Sequence, residues 1–128
     1  MVQEEKHTLL VDLCARLPYG VILYDEHCKK DYKLISLDVN CFINYDIANS
    51  INHIKPYLRP MSSMTDEEKE HLQSLHNIIT DENYGDGYSP AAWDAISEFN
   101  DYCNVHHLDN RGLIGKGLAL EAPEQMYD

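Results

Sequence analysis

The sequence predicts an α+β domain, with an N-terminal helix, a small antiparallel sheet from about residues 20–60, two C-terminal helices and an irregular tail. Three observations carry that expectation. Apolar residues recur at helical spacing near the N-terminus and again after residue 65. The stretch between them is extended and alternating in character, and helices do not alternate with strands as they do where parallel sheets are built. A length of 128 residues fits one domain spanning 1–128 and leaves no room for two.

Leu9, Leu10, Leu13, Cys14 and Leu17 share one side of a first helix, about Glu4 to Leu17, with Lys6, His7, Asp12 and Arg16 on the other. Pro18 and Gly20 end it. Val21 to Tyr24 reads as a short strand and Asp25 to Lys30 as a polar turn. From Ile35 to Tyr45 every second residue is apolar, which fits either one long bent strand or a hairpin turning near Asp38-Val39-Asn40. A loop at Asp46 to Asn52 follows, then an extended segment, His53 to Leu58, where Pro56 within it and Pro60 just beyond point to an edge strand or an irregular arm.

Thr65 and Glu68 have the spacing of a capping box, so a second helix starts there with Leu72, Leu75, Ile78 and Ile79 as its apolar side. Ser89-Pro90 starts a third, running to about His107, with Trp93, Ile96, Phe99, Cys103 and His106 along one face. Three large apolar groups at that spacing place Trp93, Ile96 and Phe99 in the core. Residues 111–120 hold too many glycines for a helix and read as an irregular strap.

Ten Lys and Arg against 22 Asp and Glu give a net charge of −12, which argues against direct contact with nucleic acid or an anionic membrane surface. The charge is uneven, at −1 over residues 1–20, 0 over 21–60 and −11 over 61–128. An acidic C-terminal half fits either a solvated surface or a face that docks a basic partner. No apolar run approaches the ~20 residues of a membrane span, and the acidic, polar start is unlike a secretory signal, so a cytoplasmic location is expected. Cys14, Cys28, Cys41 and Cys103 show no C-x-x-C spacing, sit in apolar-looking segments and are expected to be reduced thiols.

No motif assigns an activity. The loop from Asp81 has oxygen ligands but puts Asp86 and Ala92 where a calcium loop needs glycine and glutamate. Gly112, Gly115 and Gly117 match neither a dinucleotide fingerprint nor a phosphate loop. Cys103 and His106 are three apart on one helix, whereas nucleophile and base normally meet from separate elements, so Cys103 reads as core. No catalytic residue, metal ligand or cofactor is assigned. Nine of the twelve aromatic residues are tyrosines, which suit core edges and interfaces. Tyr57 and Arg59 on the expected edge strand, with Glu67, Glu68 and Glu70 in the first turns of the second helix, form the candidate partner-binding set.

Three strings together resemble a known family: Asp12-Leu13-Cys14-Ala15-Arg16-Leu17-Pro18-Tyr19-Gly20-Val21, Tyr57-Leu58-Arg59-Pro60-Met61-Ser62-Ser63-Met64-Thr65, and His106-His107-Leu108-Asp109-Asn110-Arg111-Gly112-Leu113-Ile114 with Gly117 to Pro123. The chain is similar along nearly its whole length to an uncharacterised family of small proteins from gut Bacteroidales bacteria and their phages or mobile elements. The resemblance implies an accessory protein working inside a bacterial host cell on behalf of a phage or mobile element, and brings no catalytic residue with it. Two functions then compete. One is a non-enzymatic protein-binding module for a partner with a basic surface. The other is a small enzyme or metal-binding protein using His106, His107, Asp109 and Arg111.

Overall fold

The computed structural model describes residues 2–34, 51–80 and 90–127, so the alternating segment at 35–45, Cys41 and the acidic loop after Thr80 lie outside the described residues. The architecture is α+β. Helix α1 (Gln3–Arg16) carries Glu4 and Glu5 in its first turn and Arg16 in its last, complementing the helix dipole. A short 3-10 turn through Pro18 follows and stops at Gly20, whose φ of +69° is left-handed.

Strands β1 (Ile22–Asp25) and β2 (Lys30–Lys33) form a hairpin around a turn in which the Asp25 carboxylate accepts the amides of His27 and Cys28. Strand β2, with the sequence Lys-Asp-Tyr-Lys, has no apolar pattern; the turn expected at Asp25 to Lys30 takes in its first residue, and the sequence assigns no element to residues 31–33. Strand β3 (Ile54–Leu58) pairs antiparallel with β1, and β4 (Leu120–Glu121) pairs parallel with β3, giving the order β2-β1-β3-β4. The sheet is therefore mixed, not purely antiparallel, and β3 is an interior strand, not an edge. Pro56 is tolerated because β4 reaches only Tyr57 and Leu58, beyond the residue that lacks an N–H.

Helix α2 (Asp66–Ile79) starts with the expected capping box: Thr65 Oγ1 accepts the Glu68 amide at 3.2 Å and Glu68 Oε1 accepts the Thr65 amide at 2.9 Å. It packs on α3 (Pro90–Val105). The buried face of α3 holds Ala92, Ala95 and Cys103; Ile96 and Phe99 are half-buried, and Trp93 is 60% exposed. The expectation of a Trp93 core fails because the fully buried face of α3 is lined by small residues, while Phe99 packs at its margin and Trp93 turns to solvent.

Two cores result. One joins Leu9 and Leu13 of α1, the sheet residues Leu23 and Leu58, and Leu113, Leu118 and Ala119 of the strap. The other joins Leu72 and Leu75 of α2 to Ala95, Cys103 and Leu108. The strap is irregular but well buried at its apolar positions, as expected. Cys103 is buried as anticipated, while Cys14 and Cys28 are exposed; all three are free thiols. Among the described residues no helix is long and apolar enough to cross a membrane.

The cores meet at a polar knot. Asp12 and Arg16, expected on the solvent side of α1, are fully buried. Arg16 Nε donates to both Asp12 oxygens at 3.0 Å, and its Nη2 donates to the Leu108 carbonyl at 2.7 Å. Arg111 Nη1 adds a bond to Asp12 Oδ1 at 2.8 Å and another to Asn104 Oδ1 at 3.2 Å. The i,i+4 spacing that reads as a surface ion pair here ties α1 to the far end of α3.

Candidate functional site

Arg59 directly follows β3, where its amide donates to the His107 carbonyl at 2.7 Å and its carbonyl accepts from the Asp109 amide at 2.9 Å. Anchored on both sides, it aims its guanidinium at the first turn of α2. Nη1 and Nη2 grip the two oxygens of Glu68 at 2.9 and 2.7 Å. Those hydrogen bonds outweigh the cost of burial and hold the Glu68 carboxyl at about 2, well below its ordinary range. Glu68, expected to be exposed, is thus buried, because the capping box and Arg59 both draw it inward. Arg59 and Glu68 neutralise one another, whereas Glu67 and Glu70 are exposed as anticipated.

Above this pair opens a cleft of about 700 Å³ between the start of α2, the end of α3 and residues 121–127. Its wall holds Tyr102 and His106, whose rings lie 4.2 Å apart, and beyond the cleft His71 extends the ladder, 4.4 Å from Tyr102. Each imidazole faces a carboxylate, His71 Nε2 at 3.6 Å from Glu98 and His106 Nδ1 at 3.5 Å from Glu68. Burial, then the charges of Glu68 and Glu67, push the Tyr102 phenol above its ordinary value, so it stays neutral. A second depression of about 340 Å³ shares Tyr102 and His106 and is edged by Asp94, Glu98 and Asp101 of α3. These three acids lie on one helix face at spacings of four and three and are exposed. Sequence reasoning counted their charge without locating them; the i,i+4,i+7 spacing was the available signal.

Tyr57 and the four polar residues near the strap have separate tasks. The Tyr57 hydroxyl donates to Asp31 Oδ1 at 3.0 Å, and its ring meets Tyr24 edge-on. His106 borders the cleft, while His107 is buried and stacks on Tyr127 at 3.7 Å. Burial, then the Arg16 charge, push the His107 imidazole down to about 4, leaving it neutral. Asp109 spends both oxygens on the amides of Leu113 and Ile114, at 2.8 and 2.9 Å, to start the strap. Arg111 is held in the polar knot. The four therefore converge on no common point. Cys103 gains no thiolate character from its surroundings, because burial pushes the thiol up to about 11. Among the described residues no three His, Cys, Asp or Glu side chains are grouped to hold a metal ion.

What the site presents is a carboxylate-rich surface with an aromatic seam, beside which Arg59 and Arg111 are both committed to internal carboxylates. No protein-family model matches the chain, and no curated protein or solved structure does either.

Proposed function

We propose that the protein is a non-enzymatic binding module that docks a partner with a basic surface on its α2–α3 face. We further propose that it serves as an accessory protein of phage or mobile-element origin, acting on a host or phage protein in the bacterial cytoplasm. The observation that carries the binding role is the local charge balance. Glu67, Glu70, Asp94, Glu98 and Asp101 are exposed against one exposed lysine on these helices, Lys69, and the neighbouring Arg59 has its charge met by a buried carboxylate. A negative field of that kind speeds encounter with a cationic surface, and the seam of Tyr102, His71 and His106 offers ring area for arginine side chains. The divergence of His106, His107, Asp109 and Arg111 speaks against the enzymatic alternative.

The test is retention of basic polypeptides from bacterial host lysate on the immobilised protein. A partner held near 0.1 M salt, where screening reaches about 10 Å, should be released near 1 M, where it falls to about 3 Å. The quadruple variant Glu67→Gln, Glu70→Gln, Glu98→Gln and Asp101→Asn should fail to retain it, since each exposed carboxylate contributes only about 1 kcal/mol or less and the effect is collective. Retention indifferent to salt and to the variant removes the electrostatic basis. A turnover reaction lost in His106→Ala with the fold intact replaces the whole reading with the enzymatic one.

A further inference from the structure

Away from the acidic face, the solvent side of the sheet carries Ile22, Asp31, Lys33 and Tyr57, placed together by the period-two alternation of paired strands. Tyr127 lies across it, donating its hydroxyl to the Tyr57 carbonyl at 2.6 Å and accepting the Ile22 amide at 2.9 Å. Between this tail, the turn at Tyr19-Gly20 and strand β2 lies a shallow cleft of about 480 Å³.

Two charged side chains line it, Asp31 and Lys33; among the described residues neither forms an ion pair, and Asp31 Oδ1 accepts the Tyr57 hydroxyl at 3.0 Å. They are one residue apart on the same face of β2, so their backbones are about 7 Å apart. The Lys33 side chain is also positioned. It crosses directly over Gly20, where a Cβ would lie only 2.6 Å from Lys33 Cε. The remaining walls are apolar or aromatic: Tyr19, Ile22, Met126 and Tyr127. His107 completes the lining with a ring more than nine-tenths buried whose Nδ1 has no hydrogen-bond partner. An unsatisfied buried nitrogen is uncommon in a native fold, and this one sits behind the cleft wall, out of reach of solvent.

We propose that this cleft binds a free α-amino acid with an aromatic side chain, its carboxylate on Lys33 and its ammonium on Asp31. A zwitterion carries adjacent opposite charges, and with a contact of about 2.8 Å at each end it can bridge Asp31 and Lys33, which form no ion pair with each other. The ring of the ligand packs against Tyr19, Met126 and the Ile22–Tyr127 wall.

L-tyrosine is the probe, titrated into the full chain and followed by calorimetry or by amide shifts of β2. Saturable binding is expected, with tyramine, which lacks the carboxylate, and 3-(4-hydroxyphenyl)propionate, which lacks the amine, each at least about tenfold weaker. Lys33→Met should erase the preference for L-tyrosine over tyramine. Asp31→Asn should erase its preference over the propionate, while its amide oxygen still accepts from Tyr57. Both positions are exposed, so neither change threatens the fold. No saturable binding of L-tyrosine up to its solubility limit, or preferences that persist in both variants, overturns the proposal.

Discussion

The polar knot and the rim of the large cleft are built from the same chemistry, an arginine against a carboxylate, yet they do different work. In the knot Asp12 and Arg16 are fully buried and a second arginine, Arg111, approaches the same carboxylate. At the rim the Arg59 side chain remains 24% exposed and Glu68 9%. The knot welds α1 to the end of α3 between the two hydrophobic cores. The rim pair shapes a surface, withdrawing one cation and one anion from it. The difference teaches that net charge alone does not locate a binding face. What matters is which charges the fold has already consumed.

If burial sets the strength of each pair, three substitutions should fall in order. Asp12→Ala leaves two arginines facing a site without its carboxylate, one of them completely buried, and should cost about 3–5 kcal/mol in a urea titration. Adding Arg16→Met should recover part of that loss, because replacing a buried pair by apolar atoms costs less than breaking it. A double variant no more stable than Asp12→Ala would break the comparison. Glu68→Gln comes next, at about 1 kcal/mol, since the pair is partly solvated. Lys55→Ala removes a more exposed pair, Lys55 with Glu26 at 3.0 Å, and should change stability by less than about 0.5 kcal/mol.

Acid titration sharpens the same contrast. The Glu68 carboxyl is depressed in the fold from 4.5 to about 2, so its contribution is complete above pH 4.5 and is lost as pH falls through about 2. His107 acts at higher pH. Its imidazole is lowered from 6.5 to about 4, so the unfolded chain takes up a proton that the folded chain refuses, and stability declines as pH falls from 6.5 to about 4. Unfolding midpoints across pH 7 to 2 should show both windows in the parent chain and only the higher one in Glu68→Gln.

Most elements were legible from local chemistry. Pro18 and Gly20 stop α1, Thr65 and Glu68 start α2, and Pro90 opens α3 within a residue or so of expectation. Strand β2 was not legible, because an exposed edge strand needs no apolar alternation, and two-residue β4 is too short to have a pattern. The failures of face follow from contacts distant in sequence. Nothing near Asp12 shows that Leu108 and Arg111 will close over it, and nothing near Trp93 shows that α2 will pack on Ala95 instead. At the candidate site the acid surplus could be read from composition. The withdrawal of Glu68 and Arg59 could not, because the capping box gives the carboxylate's position on the helix and not the arginine that meets it.

Met126 and Tyr127 line the acidic cleft on one side and the Lys33 cleft on the other. A wall common to two cavities is a thermodynamic link: whatever shifts it to improve one fit alters the other. Linkage makes that exchange symmetric, so a small molecule that loosens or tightens a protein partner's hold must have its own affinity changed by the same factor when the partner is bound.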